Sequence, residues 1–156
     1  MKKFRFSLEV VLKVRRQAEE KVQRELAQAQ FQRDQVFVRL GEFKSEQQDL
    51  AETQNQQRSE RVDLNREAWF LARHRGLAQG IRELQQLLAL AEKNLDAARQ
   101  KAVEAARERR VLEKLEEKQR ATWLQALDRE EQGFMDELAQ RARQSFSLPA
   151  VSANGN

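Results

Sequence analysis

No proline interrupts this chain before Pro149, so nothing in its first 148 residues imposes the break that a proline ring forces on a helix. Within that unbroken length, apolar residues recur at alternating steps of four and three, the spacing of a helix that packs along another helix. The first seam reads Leu8, Leu12, Arg15, Glu19, Val22, Leu26, Ala29, Arg33, Val36, Leu40, Phe43, Gln47, Leu50. Its four polar members are long enough to lie along a seam with their heads in water. The second reads Leu77, Ile81, Leu84, Leu88, Ala91, Leu95, Ala98, Ala102, Ala105, Arg109, Leu112, with Arg109 its one polar member. Alanine in its middle allows close approach, so tight pairing is expected between Ala98 and Ala105. Ala, Leu, Glu, Lys, Arg and Gln dominate the chain, the palette of long helices. A β-rich fold is excluded.

Between the seams, residues 51–61 are polar at nearly every step. Two seams joined by such an interval predict an all-α chain that doubles back as an antiparallel coiled-coil hairpin. A bend centred near residue 61 sets position 8 opposite about 114 and position 50 opposite about 72, which brings the two seams into coincidence. A bend at His74–Gly80, where Gly76 and Gly80 weaken a helix, is the competing choice. Trp69, Phe70 and Leu71 resemble packed helix more than a tip and favour the earlier bend. Asp63 or Asn65 would cap the returning helix. The expected organisation is a first helix over about 6–57, a bend at 58–64, a second helix over about 65–144 and a disordered tail at 145–156. At about 1.5 Å per residue the helices would measure roughly 80 and 120 Å. The second would then overhang from about residue 115 without an intramolecular partner. That overhang carries Leu115, Trp123, Leu127, Phe134, Leu138 and Ala142 at wider, mostly four-residue steps.

The residues that are scarce bound the function. There is no Cys, His74 is the sole histidine, and no Gly-x-x-x-x-Gly-Lys loop is present to cradle phosphates. No catalytic residue, metal ligand, cofactor or small-molecule substrate is expected. No uninterrupted apolar stretch exceeds the length of Leu87–Ala91, far short of the roughly 20 residues that span a bilayer. The amino terminus fails as a secretory signal, because Glu9 interrupts it and Val10–Leu12 is too brief. The expectation is a soluble, cytoplasmic chain that is not an enzyme.

Twenty-nine basic against 25 acidic residues leave a net charge of +4. Lys2, Lys3, Arg5, Lys13, Arg15 and Arg16, offset only by Glu9, hold more than that whole excess. Cations at a helix amino terminus oppose the macrodipole. The cluster is either a solvated helix start or a surface for acidic protein or anionic lipid head groups. Elsewhere basic and acidic residues alternate, as in Glu113-Lys-Leu-Glu-Glu-Lys, and no aromatic platform accompanies them. That mixing argues against nucleic acid as a partner. Leu77, Ile81, Leu84 and Leu88 admit two readings, core or partner patch, since Trp69, Phe70 and Leu87 widen the apolar face beyond one seam. Packing is the simpler. Gly76-Leu-Ala-Gln-Gly80 has the spacing of membrane helix dimers but sits among Arg73, Arg75 and Arg82. His74 reads as a solvent-facing side chain near the tip.

Three segments carry a family resemblance. The opening Phe4-Arg-Phe-Ser-Leu-Glu-Val-Val-Leu-Lys-Val-Arg-Arg-Gln-Ala-Glu-Glu resembles the start of the flagellar export protein FliJ family. So do the later Leu112-Glu-Lys-Leu-Glu-Glu-Lys-Gln and the ending Glu130-Glu-Gln-Gly-Phe-Met-Asp-Glu-Leu-Ala. The resemblance covers residues 4 to about 142. It implies a two-helix antiparallel coiled coil, similar to the γ stalk of rotary ATPases, in the flagellar type III protein export apparatus. It implies a non-enzymatic, cytoplasmic protein, peripheral to the inner membrane at the flagellar base. Such a protein sits within the hexameric export ATPase and promotes its assembly, touches a membrane export-gate protein and escorts export chaperones. By analogy with γ, the ATPase would meet Phe4, Arg5, Phe6, Leu8, Arg15 and Arg16 together with Leu115, Trp123, Leu127, Phe134 and Leu138. The gate-contacting stripe of the family matches Leu77, Ile81, Leu84 and Leu88, although the family often has an aromatic residue where this chain has Leu77. An injectisome relative, or an unrelated tethering coiled coil such as a parallel homodimer, are the alternatives.

Overall fold

The computed structural model describes residues 3–58 and 62–146. Two helices account for nearly all of them: α1, Glu9–Gln57, and α2, Leu64–Phe146, with no strand among the described residues. The chain is therefore all-α, with the second helix the longer, 83 residues against 49. Helix α1 starts at Glu9, later than the expected start near Phe6. A turn precedes it, in which the Glu9 amide donates to the Phe6 carbonyl at 3.3 Å. Electrostatics favours that start: Glu9 complements the macrodipole in the first turn, whereas starting at Phe6 would bring Arg5 against it. At the head of α2 the cap is Asp63 rather than Asn65, its carboxylate accepting from the Asn65 amide at 3.0 Å. The Asp63 carbonyl accepts from the Glu67 amide at 3.0 Å. Such a cap stabilises by about 1 kcal/mol. Gly76 and Gly80 lie inside α2, so the competing bend is not the one used. The centre of the expected bend, and the expected tail from residue 147 on, lie outside the described residues.

Packing divides the chain into two units. One of them, Val14–Arg109, is an antiparallel pair. Leu40, Ile81 and Leu84 form one buried cluster, with Val36, Phe43 and Leu88 packed against it. Leu50, Phe70 and Leu77 form a second, again touching Phe43. From Glu19 to Leu50 and from Leu77 to Arg109, no expected seam position is exposed. Cross-helix polar contacts fix the register. Arg15 pairs with Glu108 at 2.6 Å, and the Gln54 side-chain Nε2 donates to the Glu67 carboxylate at 3.0 Å. Each lies one residue from the position that a bend at 61 assigns. Arg73 pairs with Glu46, and Arg109 with Glu19. The exposed pairs among them, Arg15–Glu108 and Arg73–Glu46, contribute only about 0.2–1 kcal/mol each, so they specify alignment more than they supply stability. The apolar seam supplies that, at roughly 1.5–3 kcal/mol for each large side chain fully buried. One close approach is built in: a Cβ on Gly80 would stand 2.5 Å from the Phe43 ring. Only glycine lets that ring lie against the α2 backbone.

The second unit comprises Met1–Lys13 and Arg110–Asn156. Phe6 and Leu12 are buried within the chain, at 6% and 3% exposure. Leu8, Leu112, Leu115, Gln119 and Trp123 are half-buried. Phe4 reaches Trp123, ring centroids 5.9 Å apart and tilted by 52°. The Arg120 guanidinium lies 5.5 Å from the Phe4 ring centre. This corrects the expectation that residues from about 115 have no partner. A helical Phe4 would have faced about residue 118. A non-helical chain instead covers up to about 3.3 Å per residue, so the five steps from Glu9 back to Phe4 can span the rise of roughly eleven helical residues. The contact therefore falls at Trp123.

Candidate partner-binding surfaces

Of the side chains expected to meet an ATPase, nine lie in the second unit, and the structure gives them three different situations. Phe6 is buried, and with half-buried Leu8 it anchors the amino-terminal segment. Phe4, Leu115, Trp123 and Leu127 are half-buried, and Arg5 is exposed. Phe134 and Leu138 are open to solvent, at 62% and 44%. Arg15 and Arg16 belong to the other unit, where the Arg15 guanidinium is committed to Glu108.

From Asp128 to Gln144 every side chain of α2 is exposed. Leu127, Phe134 and Leu138 nevertheless lie one or two turns apart along a single face, with Met135 beside them. Trp123, Leu127, Phe134 and Met135 line a shallow groove there, together with Glu130 and Glu131. An apolar stripe on a lone helix is unusual in a chain without a partner, because its burial is what normally stabilises a helix of this kind. The tilted Phe4–Trp123 ring pair and the Arg120 contact, worth about 0.5–1.5 and 0.5–1 kcal/mol, fasten the amino-terminal segment to the root of that stripe.

The second expected surface is placed differently. Leu77, Ile81 and Leu84 are buried, at 2%, 8% and 9%, and Leu88 is packed against the same core. They are seam positions whose side chains face α1, so the folded unit withholds most of their surface from any partner. What is accessible lies beside them. A groove is lined by Gln35, Arg39 and Phe43 of α1 and by Gly80, Leu84 and Leu87 of α2. Leu87 is 51% exposed, and Leu84 shows only its edge.

Several features escaped sequence reasoning. Phe31, Phe37 and Val38 stand exposed on α1; their off-seam positions are visible in the sequence, but nothing in it singles them out. His74 is half-buried, with its Nε2 3.1 Å from the Gln54 side-chain oxygen, rather than facing solvent near the tip. Gln54 holds it because it continues the 4-3 rhythm one step beyond Leu50, which the polar run conceals.

Among the described residues no group of three or more His, Cys, Asp or Glu side chains is placed to hold a metal ion, and no helix is long and apolar enough to cross a membrane.

The fold and its surfaces define a protein of the paired-helix coiled-coil class, with apolar residues left open to solvent in each of its two units. The family model described as "Flagellar FliJ protein" matches residues 4–145. The chain belongs to that family and is a component of the flagellar export apparatus. No curated protein and no solved structure matches it.

Proposed function

We propose that this chain is a non-enzymatic stalk that binds the hexameric flagellar export ATPase and favours ring assembly. The observation that carries this reading is the stripe beyond the Phe4–Trp123 contact, in which half-buried Leu127 leads to exposed Phe134 and Leu138, an apolar helix face in need of a cover. A ligand that binds the ring better than the free subunits shifts assembly by mass action, so no chemistry is required of the stalk. Phe4, Arg5 and Leu115 would flank the contact, while Phe6 and Leu8 support it from within.

The gate-protein contact falls on the groove between Arg39, Phe43 and Leu87, with Leu84 presenting its edge and Leu77, Ile81 and Leu88 holding the helices together behind it. Export chaperones are further partners, and the chain works at the cytoplasmic face of the inner membrane. Family membership supports these roles, and the lack of a membrane-length apolar helix among the described residues is compatible with them.

The test is to titrate the full chain into the purified export ATPase and follow the hexamer fraction by sedimentation velocity and hydrolysis by phosphate release. Both should rise with the wild-type chain. Both should rise much less with a Phe134→Ser/Leu138→Ser variant that keeps its helicity. An ATPase whose assembly ignores the wild-type chain contradicts the proposal.

A further inference from the structure

The stripe at the end of α2 is not purely apolar. Glu130 and Glu131 line the same groove as Leu127 and Phe134. At 100° per residue they straddle the line joining those two side chains, one on each side, midway between them. Asp128 and Asp136 fall on other faces of the helix. Whatever covers the stripe must cover the two carboxylates as well, and a buried carboxylate without a cation is strongly disfavoured.

This requirement discriminates between occupants. Trp123, Leu127, Phe134 and Leu138 are spaced symmetrically by steps of four, seven and four, so a second copy lying antiparallel would match Trp123 to Leu138 and Leu127 to Phe134. The same alignment sets Glu130 against the partner copy's Glu131 and Arg120 against its Arg141. A parallel copy would set each carboxylate against its own counterpart. Apolar complementarity invites self-pairing, and charge forbids it.

We infer that the end of α2 docks into an apolar groove bearing lysine or arginine opposite Glu130 and Glu131, and that these two carboxylates select that partner over a second copy of the chain. The inference rests on the functional reading above, which makes the export ATPase the bearer of the groove. Opposite charge in a covered contact contributes both affinity and discrimination.

The experiment measures binding of the full-length chain to the purified export ATPase across a salt series by biolayer interferometry, alongside sedimentation equilibrium of the chain alone. Glu130→Gln/Glu131→Gln should weaken binding about tenfold at low salt, flatten its salt dependence, and make the free chain dimerise at micromolar concentration. Asp128→Asn/Asp136→Asn, which removes equal charge from other faces, should behave like wild type in both assays. Circular dichroism checks that both variants stay helical. Unchanged binding by the Gln pair, or an equal loss in the control, overturns the selective role of the carboxylates and leaves the stalk reading standing. A wild-type chain that already dimerises through this stripe also overturns it. No binding by wild type overturns both readings together.

Discussion

Single residues decide how closely the two helices approach. Phe43 touches both buried clusters of the Val14–Arg109 unit, and its ring occupies the space that a side chain on Gly80 would need. Gly80→Ala should therefore destabilise the chain by about 1–3 kcal/mol through overpacking, although alanine is the better helix former. A Cβ on Gly41 or Gly76 would meet nothing within 4 Å. Gly41→Ala should accordingly stabilise by about 0.5–1 kcal/mol. Thermal unfolding followed at 222 nm gives both signs. A Gly80→Ala chain as stable as the Gly41→Ala chain would show that the Phe43 ring is not confined. At this scale the sequence was least legible: glycine within α2 could be read as a bend, whereas contact with a distant phenylalanine fixes its use.

Seams and register belong to the scale of the element, and here the sequence was most legible. The 4-3 rhythm identified the faces that pair, because burial in a two-helix contact recurs at the same spacing as the apolar residues. The polar interval located the bend closely enough to set Arg15 near Glu108. Two things stayed hidden. Periodicity describes helices only, so it could not foresee a non-helical start reaching Trp123. It also could not say whether Leu77, Ile81 and Leu84 face α1 or a partner, since both faces use the same residues. Burial favours the first, and it has a consequence. Leu77→Asp/Ile81→Asp should lower helicity and stability together, with a loss of several kcal/mol, the usual scale for uncompensated charge in a core. Leu87→Asp, on the exposed side of the groove, should leave both nearly unchanged. Equal tolerance of the two sets would mean that the helices are not paired through Leu77 and Ile81.

For the whole molecule, the function proposed requires that the chain work with its two helices paired. A stalk that had to open in order to act would expose Leu40, Leu50, Phe70 and Leu95, all buried within the chain, at a cost in apolar burial comparable to the stability of a small domain. The closed pair is the more economical agent, since the stripe that needs covering already lies outside the seam. The absence of cysteine makes this directly testable. Cysteines introduced as Arg15→Cys and Glu108→Cys can be joined by a short bismaleimide, and the linked chain then assayed for its effect on ATPase ring assembly. The expected product is an intramolecularly linked monomer that raises the hexamer fraction as well as the unlinked variant does. Linkage that yields only covalent dimers, or a locked monomer that no longer promotes assembly, would contradict a closed, doubled-back stalk.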